Sequence, residues 1–427
     1  MPTEIRLSNE GSDRATAYNM SNKIVRRGDD LIVGWLDGPA EKEGPVRIRV
    51  GICDGETGSL RTAIPLGEGI DNHCGPALTL DANDRVHALI GAHHGDFLHR
   101  FSDNPEDPNA WSDPEPIGPR HSYPAFCVDA EGTFHLAYRE SGDRWQLHYT
   151  RKREGAEWET PTVIAQSPTK GYNHFMHSLT IGPDGKLRIT FQFHYSETGI
   201  NLDCLTKAMA CVISEDGGDH WTNEGTPCVF PLTTDTSNCI YECFDDPDAN
   251  MRIGTHTVDK NGHIWLFASL PNPDRGVMWH QTEDGWQNID LAQAIPALDL
   301  SGGKSTAITY DTEDRVHLFV STDPSGKALG WYDPSIELYH LVFSIDGQLV
   351  SHSQLTQTDP DRAHWLPATE HWNWVSPGSI GEGGHWYLYT SGINAGLMSQ
   401  NDYNDTLRTE VFLSRIQQGL ESESQIG

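Results

Sequence analysis

Histidine, tyrosine and arginine residues stand at equivalent places in three consecutive segments of the sequence, each with the pattern of a β-hairpin. They precede the first strand of the hairpin or follow the second. The segments contain Asp71-Asn72-His73 and Gly91-Ala92-His93-His94, then His121-Ser122-Tyr123 and Tyr138-Arg139, then Tyr172-Asn173-His174 and Phe193-His194-Tyr195. Histidine and tyrosine exchange protons with substrates, and arginine holds anions. Together these residue types can supply a base, an acid and a cation without a metal ion.

The hairpins belong to a repeat that occurs seven times. Each copy has an apolar run, a tight turn rich in aspartate, glycine or asparagine, and a second apolar run. The seven copies begin at Arg26, Asp81, Asp129, Gly182, Asp259, Asp311 and Gly381. A third alternating segment follows each hairpin, and a weaker fourth segment usually comes next. Four strands repeated seven times predict an all-β fold, a seven-bladed β-propeller with four-stranded antiparallel blades.

The first and last strands of this repeat are expected to meet. The seventh copy ends after its third strand, Val411 to Arg415, whereas Thr3 to Ser8 is a spare strand before the first copy. We predict that the N-terminal strand completes the last blade, because that pairing closes the ring and removes an exposed sheet edge. Residues 1–427 would then form a single propeller domain.

The propeller topology predicts where the polar residues gather. The tight turns lie on one face, so the residues before the first strand and after the second strand surround the opposite mouth of the channel. His73 and His93 share a blade and a face, which favours a functional role for both. Four other histidines occupy a recurring position on the strands and are interpreted as structural, namely His87, His135, His263 and His317.

Residues Ser214 to Trp221 fit the pattern S-x-D-x-G-x-x-W, which is the Asp-box of sialidase-like propellers. The pattern predicts a turn between a third and a fourth strand, in which Asp216 caps backbone N–H groups. Trp221 is expected to pack between blades. This motif therefore argues for the fold and not for a reaction.

The composition excludes several classes of protein. Lysine and arginine number 30 against 61 aspartates and glutamates, which gives a net charge of −31, whereas a nucleic-acid surface needs a basic stripe. No run approaches the roughly 18 apolar residues of a membrane span. The first residues show no basic and apolar leader, so a cytoplasmic location is expected, or a secreted or periplasmic one if a leader has been removed. The eight cysteines lack the dense spacing of a disulfide framework.

Several motifs resemble those of a known family. They are Asp71-x-His73-x-x-Pro76, Gly91-x-His93, Ser122-Tyr123-Pro124 and Tyr138-Arg139. This set resembles the propeller polysaccharide lyases with BNR-type repeats, namely the ulvan lyases and the L-rhamnose-α-1,4-D-glucuronate lyases. The resemblance implies a lyase that cleaves a glycosidic bond at O4 of a uronic acid by β-elimination, without a required cofactor. Its partner would be a uronate-containing oligosaccharide or polysaccharide.

The resemblance also implies roles for individual residues. His73 and Tyr138 are expected to be the base and the acid, in an order that the sequence leaves open. His93 and Arg144 are expected to neutralise the uronate carboxylate, and Arg151 competes with Arg144 for that role. Three more residues at the same mouth are expected to bind substrate, namely Arg139, His174 and Tyr195.

Two other functions fit the same fold. A glycoside hydrolase of rhamnosidase or sialidase type needs a pair of carboxyl groups, for which the charged loop with Asp245, Asp246 and Asp248 is a candidate. That loop would otherwise be solvated or hold calcium. A non-catalytic carbohydrate-binding propeller would use tryptophans as stacking platforms; the candidates are Trp365, Trp372 and Trp374, close to His364 and His371.

Metal binding is weakly indicated by the sequence. Cys239, Cys243 and His256 could ligate zinc, but the spacing lacks a second close pair of ligands. Three core residues are the competing explanation. No catalytic metal is predicted, although a structural metal ion is compatible with the sequence.

Overall fold

The computed structural model describes residues 3–40, 44–91, 93–271, 274–296, 298, 300, 305–326, 328, 332–375, 384–393 and 408–416. These residues form almost only β-strands. In chain order the strands are β1 (Thr3–Gly11), β2 (Ile24–Arg27), β3 (Asp30–Asp37), β4 (Val46–Asp54), β5 (Leu60–Gly69), β6 (Ala77–Leu80), β7 (Val86–Ile90), β8 (Gly95–Ser102), β9 (Glu115–Val128), β10 (Phe134–Glu140), β11 (Gln146–Lys152), β12 (Thr162–Gln166), β13 (Ser178–Ile181), β14 (Leu187–Tyr195), β15 (Leu205–Ser214), β16 (Thr222–Asn223), β17 (Thr226–Pro227), β18 (Cys239–Glu242), β19 (Arg252–Val258), β20 (Ile264–Leu270), β21 (Arg275–Thr282), β22 (Gly285–Asp290), β23 (Ser305–Tyr310), β24 (Arg315–Thr322), β25 (Glu337–Ser344), β26 (Leu349–Gln354), β27 (Arg362–Thr369), β28 (Trp386–Ile393) and β29 (Arg408–Arg415). A single helical turn, α1 (Leu291–Ala294), and two 3₁₀ turns, Pro108–Ala110 and Asn201–Asp203, complete the described elements.

The strands pair as antiparallel meanders that follow the sequence repeat. The groups are blade one (β2 to β5), blade two (β6 to β8 with the start of β9), blade three (the rest of β9 with β10 to β12), blade four (β13 to β16, with β17 and β18 at its edge), blade five (β19 to β22), blade six (β23 to β26) and blade seven (β27 to β29 with β1). The first strands of successive blades contact one another from β2 round to β27. The fold is therefore an all-β propeller. The count of seven blades and the single domain over 1–427 stay predictions, with which this grouping agrees.

The N-terminal strand closes the ring as predicted. β1 pairs antiparallel with β29, with Thr3 opposite Arg415 and Ser8 opposite Val411. The side chain of Arg6 meets Glu410 at 2.8 Å. On the inner side of the ring, Arg26 of blade one forms an ion pair at 2.8 Å with Glu370, which follows the first strand of blade seven.

The tight turns are held by aspartates that also bind a buried histidine. In blade two, Oδ1 of Asp81 accepts the backbone N–H groups of Asn83 and Arg85, and Oδ2 faces Nε2 of His87 at 3.3 Å. A residue on the third strand, His99, meets the other nitrogen of His87 at 3.0 Å. The same arrangement recurs, and we call the set the turn-face clusters: Asp81–His87–His99, Asp129–His135–Tyr149 and Asp311–His317–His340.

His87, His135 and His317 are therefore buried structural residues, as interpreted from the sequence. His263 does not share their position. The equivalent place in blade five belongs to Trp265, whose indole N–H donates to Oδ2 of Asp259 at 3.0 Å. The turn of the seventh copy, residues 381–383, lies outside the described residues.

The Asp-box forms the predicted turn between the third and fourth strands of blade four. Oδ1 of Asp216 accepts the N–H of His220 at 2.8 Å, and Ser214 Oγ accepts the N–H of Gly218 at 2.8 Å. Trp221 packs edge-on against Tyr149 of blade three, with the ring centroids 5.0 Å apart. The apolar cores thus lie between adjacent blades, and this one joins blades three and four.

Two further findings bear on the sequence-based exclusions. Within the described ranges, no helix is both long and apolar enough to cross a membrane. All eight cysteines, each of which lies in the described part of the chain, are free thiols.

Candidate active site

Asp71 and two histidines form the centre of a cluster at the mouth opposite the tight turns. The Nδ1–H of His93 donates to Oδ2 of Asp71 at 2.7 Å, and Nδ1 of His73 lies 3.2 Å from Oδ1. The two imidazole rings stack with centroids 4.4 Å apart. His73 precedes the first strand of blade two and His93 follows the second, so the structure brings together the two histidines that the sequence favoured. We call Asp71, His73 and His93 the mouth cluster.

An arginine from blade one completes the surroundings of His73. The loop between β1 and β2 lies at the mouth, and Nη1 of Arg14 donates to Nε2 of His73 at 2.5 Å. Arg14 also donates to the hydroxyl of Tyr18, whose ring stacks on His73 at 5.5 Å. Both nitrogens of His73 are therefore engaged. Among the described residues no hydrogen bond reaches Nε2 of His93, so its lone pair points away from the carboxylate.

The mouth cluster favours neutral imidazoles beside an ionised carboxylate. Burial, together with the charge of Arg14, lowers the pKa of His73 to about 4 in spite of the hydrogen bond to Asp71. Burial likewise lowers the pKa of His93. Burial alone would raise the pKa of Asp71, but the hydrogen bonds from the two histidines hold it well below its usual range. Neutral histidines of this kind can accept a proton near pH 7.

A second arginine lies close by in a cage of aromatic rings. The guanidinium of Arg139 lies 4.4 Å from the ring centre of Tyr123, 4.5 Å from Trp145 and 5.4 Å from Tyr172. Nη1 donates to the Tyr172 hydroxyl at 3.4 Å, whereas Nε and Nη2 are buried and have no partner among the described residues. Buried donors without partners are rare. Arg139 is thus placed to bind an anion, in keeping with its predicted role in substrate binding.

Tyr123 links this arginine to the histidines. Its ring lies 5.6 Å from His93 and 5.1 Å from Tyr18. His174 meets the same tyrosine edge-on at 5.4 Å, and burial lowers the pKa of His174 well below its usual range. The structure therefore brings His73, His93, Arg139 and His174 together.

The backbone is strained at the same mouth. His94, Tyr123 and Met176 have φ angles of 50°, 61° and 31°, a region that non-glycine residues seldom adopt. They stand at the mouth positions of blades two, three and four in turn. Such strain is concentrated at functional sites in proteins, so it supports the assignment of this mouth as the candidate site.

Tyr138 is not brought to the mouth cluster. Its side chain is buried between blades two and three, with its ring 4.0 Å from His121, 5.3 Å from His148 and 5.8 Å from Phe97. Successive residues of a strand point to opposite faces, and it is Arg139 that faces the mouth. The acid–base role expected for Tyr138 therefore has no geometric support.

The other expected residues lie elsewhere. Arg144 is exposed and donates to the backbone carbonyl of Pro168 at 2.5 Å. Arg151, its competitor, binds Glu159 and the Asp-box residue Asp219 on the turn face. Tyr195 is buried in the core between blades three and four. None of them contacts His73 or His93 within the described part of the chain.

Sequence reasoning missed Arg14 and Tyr18, although a signal was present. Both precede the first strand of blade one, which is the position that identified His73 in blade two and His174 in blade four. The loop that carries them is almost wholly buried at the mouth. A search for polar residues before the first strand of blade one would have found Arg14 and Tyr18.

The residues named for the alternative functions serve the fold. The N–H of Trp365 donates to the backbone oxygen of Asp13 and that of Trp374 to Val258. Trp372 packs beside Trp374 against the core between blades five and six. Trp365 is buried, and the half-buried rings of Trp372 and Trp374 meet edge-on.

The acidic loop has no paired carboxyl site. Asp245 and Asp248 are exposed, and the carboxylate of Asp246 accepts the N–H of Asp248 within its own turn. The loop is therefore a solvated one.

The zinc set considered from the sequence does not form. Both nitrogens of His256 bind threonine hydroxyls, of Thr180 at 2.6 Å and Thr190 at 2.7 Å. Cys243 faces the carbonyl of Lys207. Asp71, His73 and His93 do offer ligand atoms within 4.8 Å of one another, but both carboxylate oxygens of Asp71 accept from the histidines and Nε2 of His73 faces the Arg14 guanidinium.

Residues 54–294, more than half of the chain, match the model of a family described as BNR repeat-containing family member. The chain belongs to the BNR repeat-containing family. The matched region contains His73, His93 and Arg139, whereas Arg14 and Tyr18 precede it.

Solved structures of two polysaccharide lyases are similar to this BNR repeat protein over nearly its whole length. An ulvan lyase of polysaccharide lyase family PL25, bound to -[GlcA(1-4)Rha3S]-, is 13% identical with a TM-score of 0.70, and the match covers 95% of each chain. Polysaccharide lyase Uly1 is 12% identical with a TM-score of 0.64, covering 96% of this chain and 98% of its own. At such identities the similarity shows a shared fold. No curated protein sequence matches the chain.

Proposed function

We propose that this BNR repeat protein is a carbohydrate-active lyase that cleaves the glycosidic bond at O4 of a uronic acid by β-elimination. The observation that carries the proposal is the mouth cluster, in which two neutral imidazoles share one carboxylate between two guanidinium groups. Its fold is that of lyases such as the ulvan lyase bound to -[GlcA(1-4)Rha3S]-. Each part of the reaction has a matching group at the mouth.

The reaction first needs a cation beside the uronate carboxylate. The proton on C5 is weakly acidic because the neighbouring carboxylate already carries charge, so its removal requires stabilisation of an enolate-like intermediate. Arg139 has two buried N–H donors without partners among the described residues. A carboxylate bound there would satisfy them with charge-assisted hydrogen bonds. Arg14 adds positive charge on the other side of the histidines.

The base in this proposal is His93. Its Nδ1–H is held by Asp71 at 2.7 Å, which fixes the tautomer and leaves the Nε2 lone pair for the C5 proton. The Asp71 carboxylate stabilises the imidazolium that forms. His73, whose Nε2 accepts from Arg14, then serves to hold Asp71 and the arginine in place.

The acid in this proposal is Tyr18, in place of Tyr138. Burial raises the pKa of Tyr18 to about 12, while the charge of Arg14 acts against this rise. The hydroxyl therefore stays protonated at neutral pH, with a guanidinium beside it to stabilise the phenolate. Such a group can protonate O4 as the bond to the leaving sugar breaks.

The charge of the protein points to a small substrate. With a net charge of −31, long-range attraction for a polyanion is unfavourable. We propose a short or chain-end uronosyl substrate, with a rhamnosyl-glucuronate unit as the first choice. Faster cleavage of a long polymer than of a disaccharide would contradict this choice.

The test is to incubate the protein with a panel of uronate-containing oligosaccharides in ¹⁸O-labelled water, with His93→Ala as the control. A lyase gives a product with the ultraviolet absorbance of a 4,5-unsaturated uronate and takes no ¹⁸O into the cleaved bond. A saturated sugar carrying ¹⁸O would assign the protein to the hydrolases instead. Binding without any product would leave a carbohydrate-binding propeller.

A further inference from the structure

One turn-face cluster has an additional histidine that the others lack. In blade six, Asp311 and His317 are joined by His385 from blade seven, and all three are buried. Nε2 of His317 lies 2.9 Å from Oδ2 of Asp311, and Nε2 of His385 lies 4.0 Å from the same oxygen. The rings of His317 and His385 have centroids 3.9 Å apart. One potential ligand atom from each residue thus falls within 4.8 Å of the other two.

The equivalent clusters in blades two and three show which part of this arrangement belongs to the fold. Asp81 with His87, and Asp129 with His135, make the same carboxylate–imidazole pair. Across the described ranges, neither pair is joined by a third ligand atom of this kind. The pair therefore holds the turn, whereas His385 is not needed for it.

His385 itself is not satisfied by hydrogen bonds. It is 3% exposed, and neither ring nitrogen has a partner among the described residues. The 4.0 Å separation from Asp311 exceeds a hydrogen bond. A buried polar group without a partner costs free energy and calls for an unseen partner.

We propose that Asp311, His317 and His385 bind a divalent transition-metal ion, with zinc as the ion that best fits two imidazoles and a carboxylate. Metal–ligand bonds of about 2.0–2.1 Å place the ligand atoms of a tetrahedral centre roughly 3.3–3.4 Å apart. The distances of 2.9 and 4.0 Å to Oδ2 of Asp311 bracket that value. A fourth ligand would be water.

The surroundings of the three ligands suit a metal site. Oδ1 of Asp311 accepts the backbone N–H groups of Glu313 and Arg315, which fixes the carboxylate with Oδ2 towards His317. Nδ1 of His317 faces Nε2 of His340 at 2.9 Å. With a metal ion on Nε2 of His317, Nδ1 would carry the proton and donate to Nε2 of His340, whose own proton would then be on Nδ1. Such an outer partner is usual for a metal-binding histidine.

A guanidinium that faces the site has an alternative partner. Nε and Nη2 of Arg315 donate to Oδ2 of Asp311 at 2.9 and 2.8 Å, and Nη2 also reaches Glu313 at 3.0 Å. Glu313 can therefore keep Arg315 paired when a metal ion takes Oδ2. The ion would join blade six to blade seven, the blade that the N-terminal strand completes, so its role would be structural. The inference does not rest on the lyase proposal, because the site lies on the turn face.

The experiment uses the full chain, stripped with a chelator, reloaded with Zn²⁺ and freed of excess metal, with zinc content measured by mass spectrometry. We expect one zinc in the wild type that His385→Gln lacks. The matched controls His135→Gln, in the equivalent cluster of blade three, and His93→Gln, in the mouth cluster, should keep it. Zinc should raise the Tm of the wild type and not that of His385→Gln. Equal zinc content and equal Tm shifts in His385→Gln, or loss of zinc in His93→Gln, would overturn the proposal.

A second measurement covers the case in which His385→Gln does not fold. Co²⁺ bound by the wild type should show the visible bands of a four-coordinate nitrogen and oxygen site. In His385→Cys the bound Co²⁺ should gain a near-ultraviolet thiolate-to-cobalt band, because the new side chain ligates the ion through sulfur. Folded His385→Cys that binds Co²⁺ without this band would show that position 385 is not a ligand.

Discussion

The mouth cluster and the turn-face clusters are built from the same residue types and differ in what they leave unbound. In one turn-face cluster, Asp129 accepts two backbone N–H groups of its own turn. One ring nitrogen of His135 binds that aspartate, and the other binds the hydroxyl of Tyr149. In the mouth cluster, Asp71 receives two imidazoles, and Nε2 of His93 is left without a hydrogen bond among the described residues.

Location and unused hydrogen-bonding capacity separate a structural aspartate–histidine pair from a reactive one. The turn-face pairs lie within one hairpin and use every polar atom to hold it. The mouth cluster draws on both ends of a hairpin and on the loop of another blade, which brings Arg14 to His73. An aspartate–histidine motif alone therefore does not identify a site.

The sharpest test of this comparison replaces one histidine in each region. His93→Ala should lower kcat of the folded protein by about 10²–10⁴-fold, as expected for loss of a positioned base. His135→Ala should leave kcat of the folded protein nearly unchanged and lower the free energy of unfolding by about 1–3 kcal/mol, because Asp129 and the buried Tyr149 hydroxyl lose their hydrogen bonds to His135. Activity assays and chemical denaturation measure the two effects. Similar losses of kcat in His93→Ala and His135→Ala would show that the two regions do not differ in function.

The next test compares two arginines of neighbouring segments. Arg139→Ala should lower kcat by about 10²–10³-fold, the range seen when a donor to a developing oxyanion is removed. Arg144→Ala should leave kcat nearly unchanged, since Arg144 is exposed and binds backbone carbonyls. Steady-state kinetics of the two variants check this. A larger loss in Arg144→Ala would restore that residue to the site.

Ring closure by β1 should affect the mouth cluster more than the turn-face clusters, because the loop that follows β1 lies at the mouth. Deleting the first nine residues removes most of β1 and should lower the Tm, because β29 loses its paired strand. Activity should fall further than the loss of folded protein explains, because the loop with Arg14 and Tyr18 directly follows β1. Arg6→Ala, which removes only the ion pair with Glu410, is the matched control and should lower the Tm by far less. An unchanged Tm after the deletion would contradict closure by this strand.

The smallest effect is expected on the pH dependence of stability, and both regions contribute to it. Burial lowers the pKa of His73 and of His99 to about 4, whereas an unfolded histidine titrates near 6.5. The unfolded chain therefore binds more protons between these values, so stability is complete above about pH 6.5 and is lost as the pH falls towards 4. Denaturation at several pH values should show a shallower slope in His73→Gln. His220→Gln is the control, since His220 is exposed and its pKa is raised by Asp216; an equal change of slope there would contradict the account.

Most of the fold followed from the sequence because its signals are local. The seven turns, the alternating strands and the Asp-box are each read from fewer than ten neighbouring residues, and the all-β propeller and the BNR-type family are confirmed. The spare strand Thr3 to Ser8 was recognisable because blade seven lacked a partner for Val411 to Arg415. His73 and His93 were recognisable because they stand at the two ends of one hairpin.

The rest of the site depended on features that the sequence does not carry. The pairing of β10 with β9 is irregular between Ala137 and Arg139, where β9 has one extra residue. β10 itself alternates regularly, as its pairing with β11 shows, so Arg139 faces the mouth and its neighbour Tyr138 points the other way. Arg14 and Tyr18 sit on a loop whose path is set by packing against blades two and seven. The single-domain assignment and the catalytic roles stay predictions.

The closing strand has a consequence for how the chain is made. β1 leaves the ribosome before every other described strand, and its partner β29 leaves after them, with Arg6 and Glu410 separated by 404 residues. Each earlier blade can assemble from neighbouring segments during translation, but the ring can lock only after the C-terminal strand has emerged. Until then β1 is held only at its end, where Gly11 pairs with Asp37 of β3, and the rest of the strand must stay available. Any fusion or chaperone that occupies it during synthesis therefore acts on the last step of maturation.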